Sequence, residues 1–250
     1  MKIAISGKGG VGKSTISSII IETFAEMGKK VLAIDSDPSP HLARLLGFEH
    51  TERITPIAEM NELLAERSER QGAFYNLNPK VDDLPEKFML ERDNIKLMVV
   101  GAIQKGGGGC ACAENAVLRN LVNSLLLNPQ EVIVMDMEAG VEHLGRGTIQ
   151  SVDHLLTVVQ PYKGSIETAR KIKKLADDLG IKTLKVIGNQ VAGREDEDFI
   201  EQELGMRPFF SIPFSPEIRS AERKGLRVYS YVPDTIKNII KNALSTLQKS

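Results

Sequence analysis

At 250 residues, 42% apolar and 26% charged, the chain carries enough apolar surface for one sizeable core and falls in the globular class. A formal charge of -1 gives no global basic field for nucleic acid, and no apolar run approaches the roughly 20 residues needed to cross a bilayer. With only two cysteines there is no disulfide framework. Since the N-terminus runs straight into a strand-like segment instead of a charged and then apolar leader, a cytoplasmic protein with neither a nucleic-acid nor a membrane partner is expected.

In chain order, the apolar run Lys2-Ile3-Ala4-Ile5-Ser6 reads as a strand. It leads into a glycine-rich loop and then a helical stripe of Ile16, Ile19, Ile20, Phe24 and Met27. Further strands are predicted near 30–35, 95–101, 131–136, 154–160, 184–189 and 208–212, separated by helical patterns. The clearest helix is 165–179, with Ser165 as cap, a stripe from Ile166 to Leu179, and Gly180 as stop. Residues 56–71 and 114–127 read similarly, and 72–94 is assigned at most an edge hairpin. Residues 234–249 form an amphipathic helix capped by Asp234, which is expected to pack on the sheet. This alternation predicts an α/β fold, a mostly parallel central sheet flanked by helices, in a single domain spanning 1–250.

The loop Gly7-Lys8-Gly9-Gly10-Val11-Gly12-Lys13-Ser14-Thr15 matches G-x-x-x-x-G-K-[ST] in the context that gives the pattern meaning, between a strand and a helix. Its backbone N–H groups and the helix N-terminus can surround the phosphates of ATP. Lys13 would bring a cation to the β and γ phosphates, Ser14 would ligate magnesium, and Thr15 would reach the α phosphate. Lys8, a lysine among glycines, covers no core and suits bound phosphate. Two more strands end in acids: Asp35-Ser36-Asp37 after 30–34, and Asp136 after 131–135. Carboxylates at the C-terminal ends of parallel strands lie where ligands bind in such sheets, so a metal or a water is expected there. Asp136 would hold magnesium through a water. Late in the chain, the side-chain amide of Asn189 offers the donor and acceptor that adenine requires.

The loop K-G-G-V-G-K-S-T resembles the deviant Walker A signature of the nitrogenase iron protein, MinD and ParA family, the SIMIBI branch of P-loop NTPases. The resemblance implies an ATPase working as a homodimer, in which Lys8 reaches the other subunit's nucleotide. It implies that Asp37, in the first switch region, positions or deprotonates the attacking water, while Asp35 supports magnesium or the loop. It implies that Gly140, in Asp136-Met137-Glu138-Ala139-Gly140, senses the γ phosphate, and that Pro213 packs near the base. His41 stands where the iron proteins carry an aspartate, and Gln190 replaces the basic residue that usually follows the late asparagine.

The motif Gly106-Gly107-Gly108-Gly109-Cys110-Ala111-Cys112 departs from most of this family. Four glycines cannot belong to a regular element, so both thiols are expected in a loop before a helix starting near Glu114. One C-x-C pair is too small a set for a tetrahedral site, but two pairs facing each other across a symmetric dimer would complete one. Zinc, nickel and an iron-sulfur cluster all suit four thiolates. The glycine-rich C-x-C loop, with Asp136 to Thr148 and Lys105 to Asn115, resembles the CooC and AcsF branch of maturation ATPases. That resemblance implies nickel or zinc at Cys110 and Cys112, and carbon monoxide dehydrogenase or acetyl-CoA synthase as client. Two other readings share the nucleotide site: a MinD- or ParA-like positioning ATPase, and an iron-protein-like electron donor with a bridging iron-sulfur cluster.

Overall fold

The computed structural model describes residues 1–37, 39–69, 76, 78–101, 111–127, 132–138, 152–181 and 183–247, the side chains of residues 111 and 112 excepted. Among these residues eight strands form one sheet: β1 Lys2–Gly7, β2 Val31–Ser36, β3 Leu90–Arg92, β4 Ile95–Val99, β5 Val132–Met137, β6 His154–Val159, β7 Leu184–Asn189 and β8 Phe210–Ile212. Their order is β3-β4-β2-β5-β1-β6-β7-β8. Every pairing is parallel except β3 with β4. The central strands are buried on both faces, which is why their sequences read as unbroken apolar runs. Of the hairpin anticipated within 72–94 only one arm, β3, lies in that range; it pairs with β4, the strand expected near 95–101, through a turn at Asp93-Asn94 with Asp93 at φ 52.

The helices described are α1 Lys13–Glu26, α2 Leu42–Leu45, α3 Asn61–Ser68, α4 Leu84–Phe88, α5 Ala111–Leu126, α6 Lys163–Leu179, α7 Arg194–Leu204, α8 Pro216–Arg223 and α9 Asp234–Leu247. On one face of the sheet, Ile16, Ile20 and Phe24 of α1 pack with Ile236, Ile240 and Leu244 of α9 over β1, β2 and β5. On the other face, α3, α5 and α6 cover Leu32, Ile34, Ile133 and Met135. The apolar stripe of α9 is therefore spent on the core, except for Ile239, which is partly exposed. Among the described residues no helix is long and apolar enough to cross a membrane.

Several boundaries differ from expectation for local reasons. The predicted 56–71 helix divides at Met60 into a 3-10 turn, Ile57–Glu59, and α3, which stops where Glu69 turns left-handed at φ 46. Helix α6 begins at Lys163, so Ser165 lies inside its first turn and not at its cap; the buried Ser165 hydroxyl accepts the Gln160 N–H at 3.0 Å. Gly180 ends α6 as expected, at φ 72. Asp234 is the first residue of α9, while the Pro233 carbonyl accepts the opening N–H groups of Ile236 and Lys237. Helix α5 starts at Ala111, so Cys112 belongs to its first turn and not to the preceding loop.

Candidate functional site

The strand order puts β1 between β5 and β6, so the loop leaving β1 opens beside the carboxyl ends of β2 and β5, the crevice where ligands bind in open α/β sheets. Gly7 closes β1, and the Val11 N–H turns back onto the Lys8 carbonyl at 3.3 Å. Gly12 precedes α1 at φ 92, a left-handed conformation that L side chains rarely adopt. Helix α1 has no side-chain cap and no acid in its first turn, which leaves its N-terminal donors and positive dipole end to a ligand. Of the predicted residues, Gly9, Gly10, Gly12, Lys13, Ser14, Thr15, Asp37, Asn189 and Pro213 line one cavity of about 660 Å³. Val11 is buried beneath the loop.

Two acids are buried at the carboxyl ends of the neighbouring strands. Asp35 and Asp136 lie opposite each other on the paired strands β2 and β5, and both are fully buried. Asp35 accepts the Asp37 N–H at 3.2 Å and the Leu42 N–H at 3.0 Å, and so fixes the loop that carries Asp37. Asp136 accepts the Ser17 hydroxyl at 2.9 Å through Oδ1, while its buried Oδ2 has no hydrogen-bond partner. Burial pushes both carboxyls well above the usual range. Asp136 raises Asp35 further, whereas Ser14, Ser17 and the Lys13 ammonium oppose the rise at Asp136. Ser14 Oγ and the unpartnered Asp136 oxygen are hard oxygen donors below the phosphate loop, which fits a small, partly hydrated cation such as magnesium.

Three predicted residues hold contacts that the sequence does not reveal. The Asn189 amide donates to the Val11 carbonyl at 2.7 Å, and its oxygen accepts the Gln190 N–H at 3.0 Å, so the end of β7 grips the glycine loop. Thr15 Oγ1 donates a short hydrogen bond to Glu222. Lys8 extends its ammonium over the Tyr162 ring, 5.2 Å from the centroid.

Glu222, Arg219 and Phe214 also line the cavity, the Arg219 guanidinium lying 5.7 Å from the Phe214 ring, and Gln160 reaches the Val11 carbonyl at 3.5 Å. Sequence reasoning missed Glu222 and Arg219, although Ser215-Pro216 gives a helix-start signal. Ser215 caps α8 by accepting the Ile218 N–H, with Pro216 at the first position. His41 lines the cavity too, its Nδ1 3.0 Å from the Pro40 carbonyl. Gly140 and Cys110 lie outside the described residues, as does the Cys112 side chain. Among the described residues no group of three or more histidines, cysteines or acids is placed to hold a metal.

A doubly covered, mostly parallel sheet with a glycine loop and a lysine at the N-terminus of its first helix defines a P-loop ATPase. The family model for the CobQ/CobB/MinD/ParA nucleotide binding domain matches residues 2–228. An uncharacterised ATP-binding protein of Methanocaldococcus jannaschii is 44% identical over 90% of this chain and 90% of its own. The carbon monoxide dehydrogenase accessory protein CooC of Rhodospirillum rubrum is 43% identical over 93% of this chain and 91% of its own. In fold, the MinC:MinD cell division protein complex of Aquifex aeolicus superposes with a TM-score of 0.71, covering 100% of this chain and 97% of that one, at 22% identity. The chain belongs to the CobQ/CobB/MinD/ParA nucleotide-binding family.

Proposed function

We propose that the chain is a metallochaperone ATPase working as a homodimer. It couples ATP hydrolysis to delivery of nickel, or zinc, held between two Cys110–Cys112 pairs, to a client such as carbon monoxide dehydrogenase or acetyl-CoA synthase. The observation that carries this reading is the 43% identity to CooC over 93% of the chain. The nucleotide crevice and a C-x-C motif in the same chain add to it.

In this reading Lys13 and the free donors of α1 hold the phosphates, with Lys8 of the partner subunit closing over them. Ser14 and Asp136 would hold magnesium, which when bound supplies charge neutralisation on the phosphate oxygens. Asp37 orients a water whose oxygen bonds to the γ phosphorus as the bond to the β–γ bridging oxygen breaks. The water's proton passes to Asp37, and ADP leaves with the bridging oxygen. Both lysines stabilise the charge that develops on the transferring and leaving groups. The thiolates of Cys110 and Cys112 bind the cargo.

The test compares Lys13→Ala with a Cys110→Ser/Cys112→Ser double variant. The first should lose phosphate release with an unchanged circular dichroism spectrum, and the second should lose nickel in equilibrium dialysis while keeping its ADP affinity. Normal hydrolysis by the first, or undiminished nickel binding by the second, overturns the corresponding half.

A further inference from the structure

Lys8 is the one cation of the phosphate loop whose side chain does not line the nucleotide cavity; Lys13 does. Its ammonium sits 5.2 Å from the centroid of Tyr162, in the connection between β6 and α6. A Cβ added at Gly164 would come within 2.7 Å of Lys8 Nζ, so the ammonium occupies space that any larger residue there would take. Tyr162 is 39% exposed and belongs to none of the apolar clusters, so packing does not account for an aromatic residue at this position. The connection itself is held firmly. Gln160 reaches the Val11 carbonyl of the phosphate loop, its N–H is accepted by Ser165, and the Tyr162 carbonyl accepts the Ser165 and Ile166 N–H groups at 3.1 and 3.2 Å. The connection that carries the ring is thereby tied to the loop, and the face of the ring supplies the negative potential that a cation seeks.

We propose that Tyr162 is a positioning residue for Lys8: in the single chain its ring docks the ammonium away from the chain's own nucleotide cavity, and Lys8 leaves the ring when a second copy closes. This rests on the homodimer reading above. An exposed cation–π contact of ordinary strength favours the docked state about two- to fivefold. With the dock favoured two- to fivefold, the lysine is undocked in about a third to a sixth of chains; both protomers must release it, so the factor is squared and the dock raises the dissociation constant of the ATP-bound dimer about 9- to 36-fold. Gly164 completes the dock by leaving room for the ammonium.

Two measurements on the full chain test this. In the nucleotide-free protein, the ring current of Tyr162 should shift the ε-methylene protons of Lys8 upfield in NMR spectra; Tyr162→Phe should keep the shift, and Tyr162→Leu should abolish it. An ordinary Lys8 shift in the native chain overturns the dock, whatever the dimer does. In sedimentation velocity with a non-hydrolysable ATP analogue, Tyr162→Leu should dimerise at about 9- to 36-fold lower protein concentration, with Tyr162→Phe matching the native chain. Unchanged or weaker dimerisation of Tyr162→Leu overturns the proposal. A native chain that stays monomeric with the analogue refutes the homodimer reading and the release step with it, and an upfield Lys8 shift would then identify the failure as that of the dimer.

Discussion

Gly12 and Asn189 should act on nucleotide binding as one unit. The Cβ of an alanine at position 12 would lie 2.5 Å from Asn189 Nδ2, the atom that donates to the Val11 carbonyl at 2.7 Å. In Gly12→Ala the left-handed backbone costs about 1–2 kcal/mol. Displacing the amide forfeits a hydrogen bond of about 1 kcal/mol. The sum, about 2–3 kcal/mol, weakens ADP binding about 30- to 150-fold. Asn189→Ala alone forfeits the hydrogen bond, about 1 kcal/mol. In an Asn189→Ala background no amide remains to be displaced, so Gly12→Ala costs only its backbone share, about 1–2 kcal/mol. The double variant should therefore bind ADP about as weakly as Gly12→Ala, a coupling of about 1 kcal/mol in a double-mutant cycle. Isothermal titration calorimetry of the four proteins with ADP measures it. If Gly12→Ala costs the same in both backgrounds, the amide does not hold the loop in the bound state, and the argument from this contact fails.

Two further predictions concern the frame around the site. Glu22 of α1 is 3% exposed and accepts Arg92 at 2.6 Å and the Nε and Nη2 of Arg227 at 2.8 and 2.7 Å. Glu22→Ala should cost about 3 kcal/mol in urea unfolding, the low end for breaking a buried pair because both guanidinia keep some access to water; a loss under about 1 kcal/mol contradicts the network's importance. The hydrogen bonds from Arg67, then that from Lys87, hold the Asp83 carboxyl well below its usual range. A depressed pKa contributes stability that is complete above the unfolded value near pH 4 and is lost as pH falls toward the folded one. The stability gap between the native chain and Asp83→Asn should therefore be level from pH 7 to about pH 5 and shrink below about pH 4; a gap that widens on acidification contradicts the pairing.

The elements that were legible in the sequence are those in which burial imposes a pattern. β2, β5 and β6 are buried on both faces and read as apolar runs, and α6 shows its stripe and its glycine stop. Helix α7 is different, because only Phe199, Ile200 and Leu204 among its residues are large apolar groups, so periodicity leaves little trace. The four-residue helix α2 is too short to show a period at all. Within the site, the glycine loop and the strand-end acids are local motifs and could be placed from spacing. The grip of Asn189 on Val11, the bond from Thr15 to Glu222 and the dock of Lys8 on Tyr162 join residues 178, 207 and 154 positions apart, and no local pattern encodes them. The three acids beyond the loop also separate only in three dimensions: Asp35 spends its oxygens on backbone donors, Asp136 keeps one free, and Asp37 faces the cavity.

The most direct test of the central claim is the nickel content per protomer of anaerobically loaded protein, measured across size-resolved peaks with and without ATP. A thiolate site shared by two C-x-C pairs predicts about half a nickel per protomer, confined to the dimer peak, because four sulfur ligands complete one tetrahedral site. One nickel bound by each monomer, or a dimer that forms with ATP and carries no metal, contradicts it.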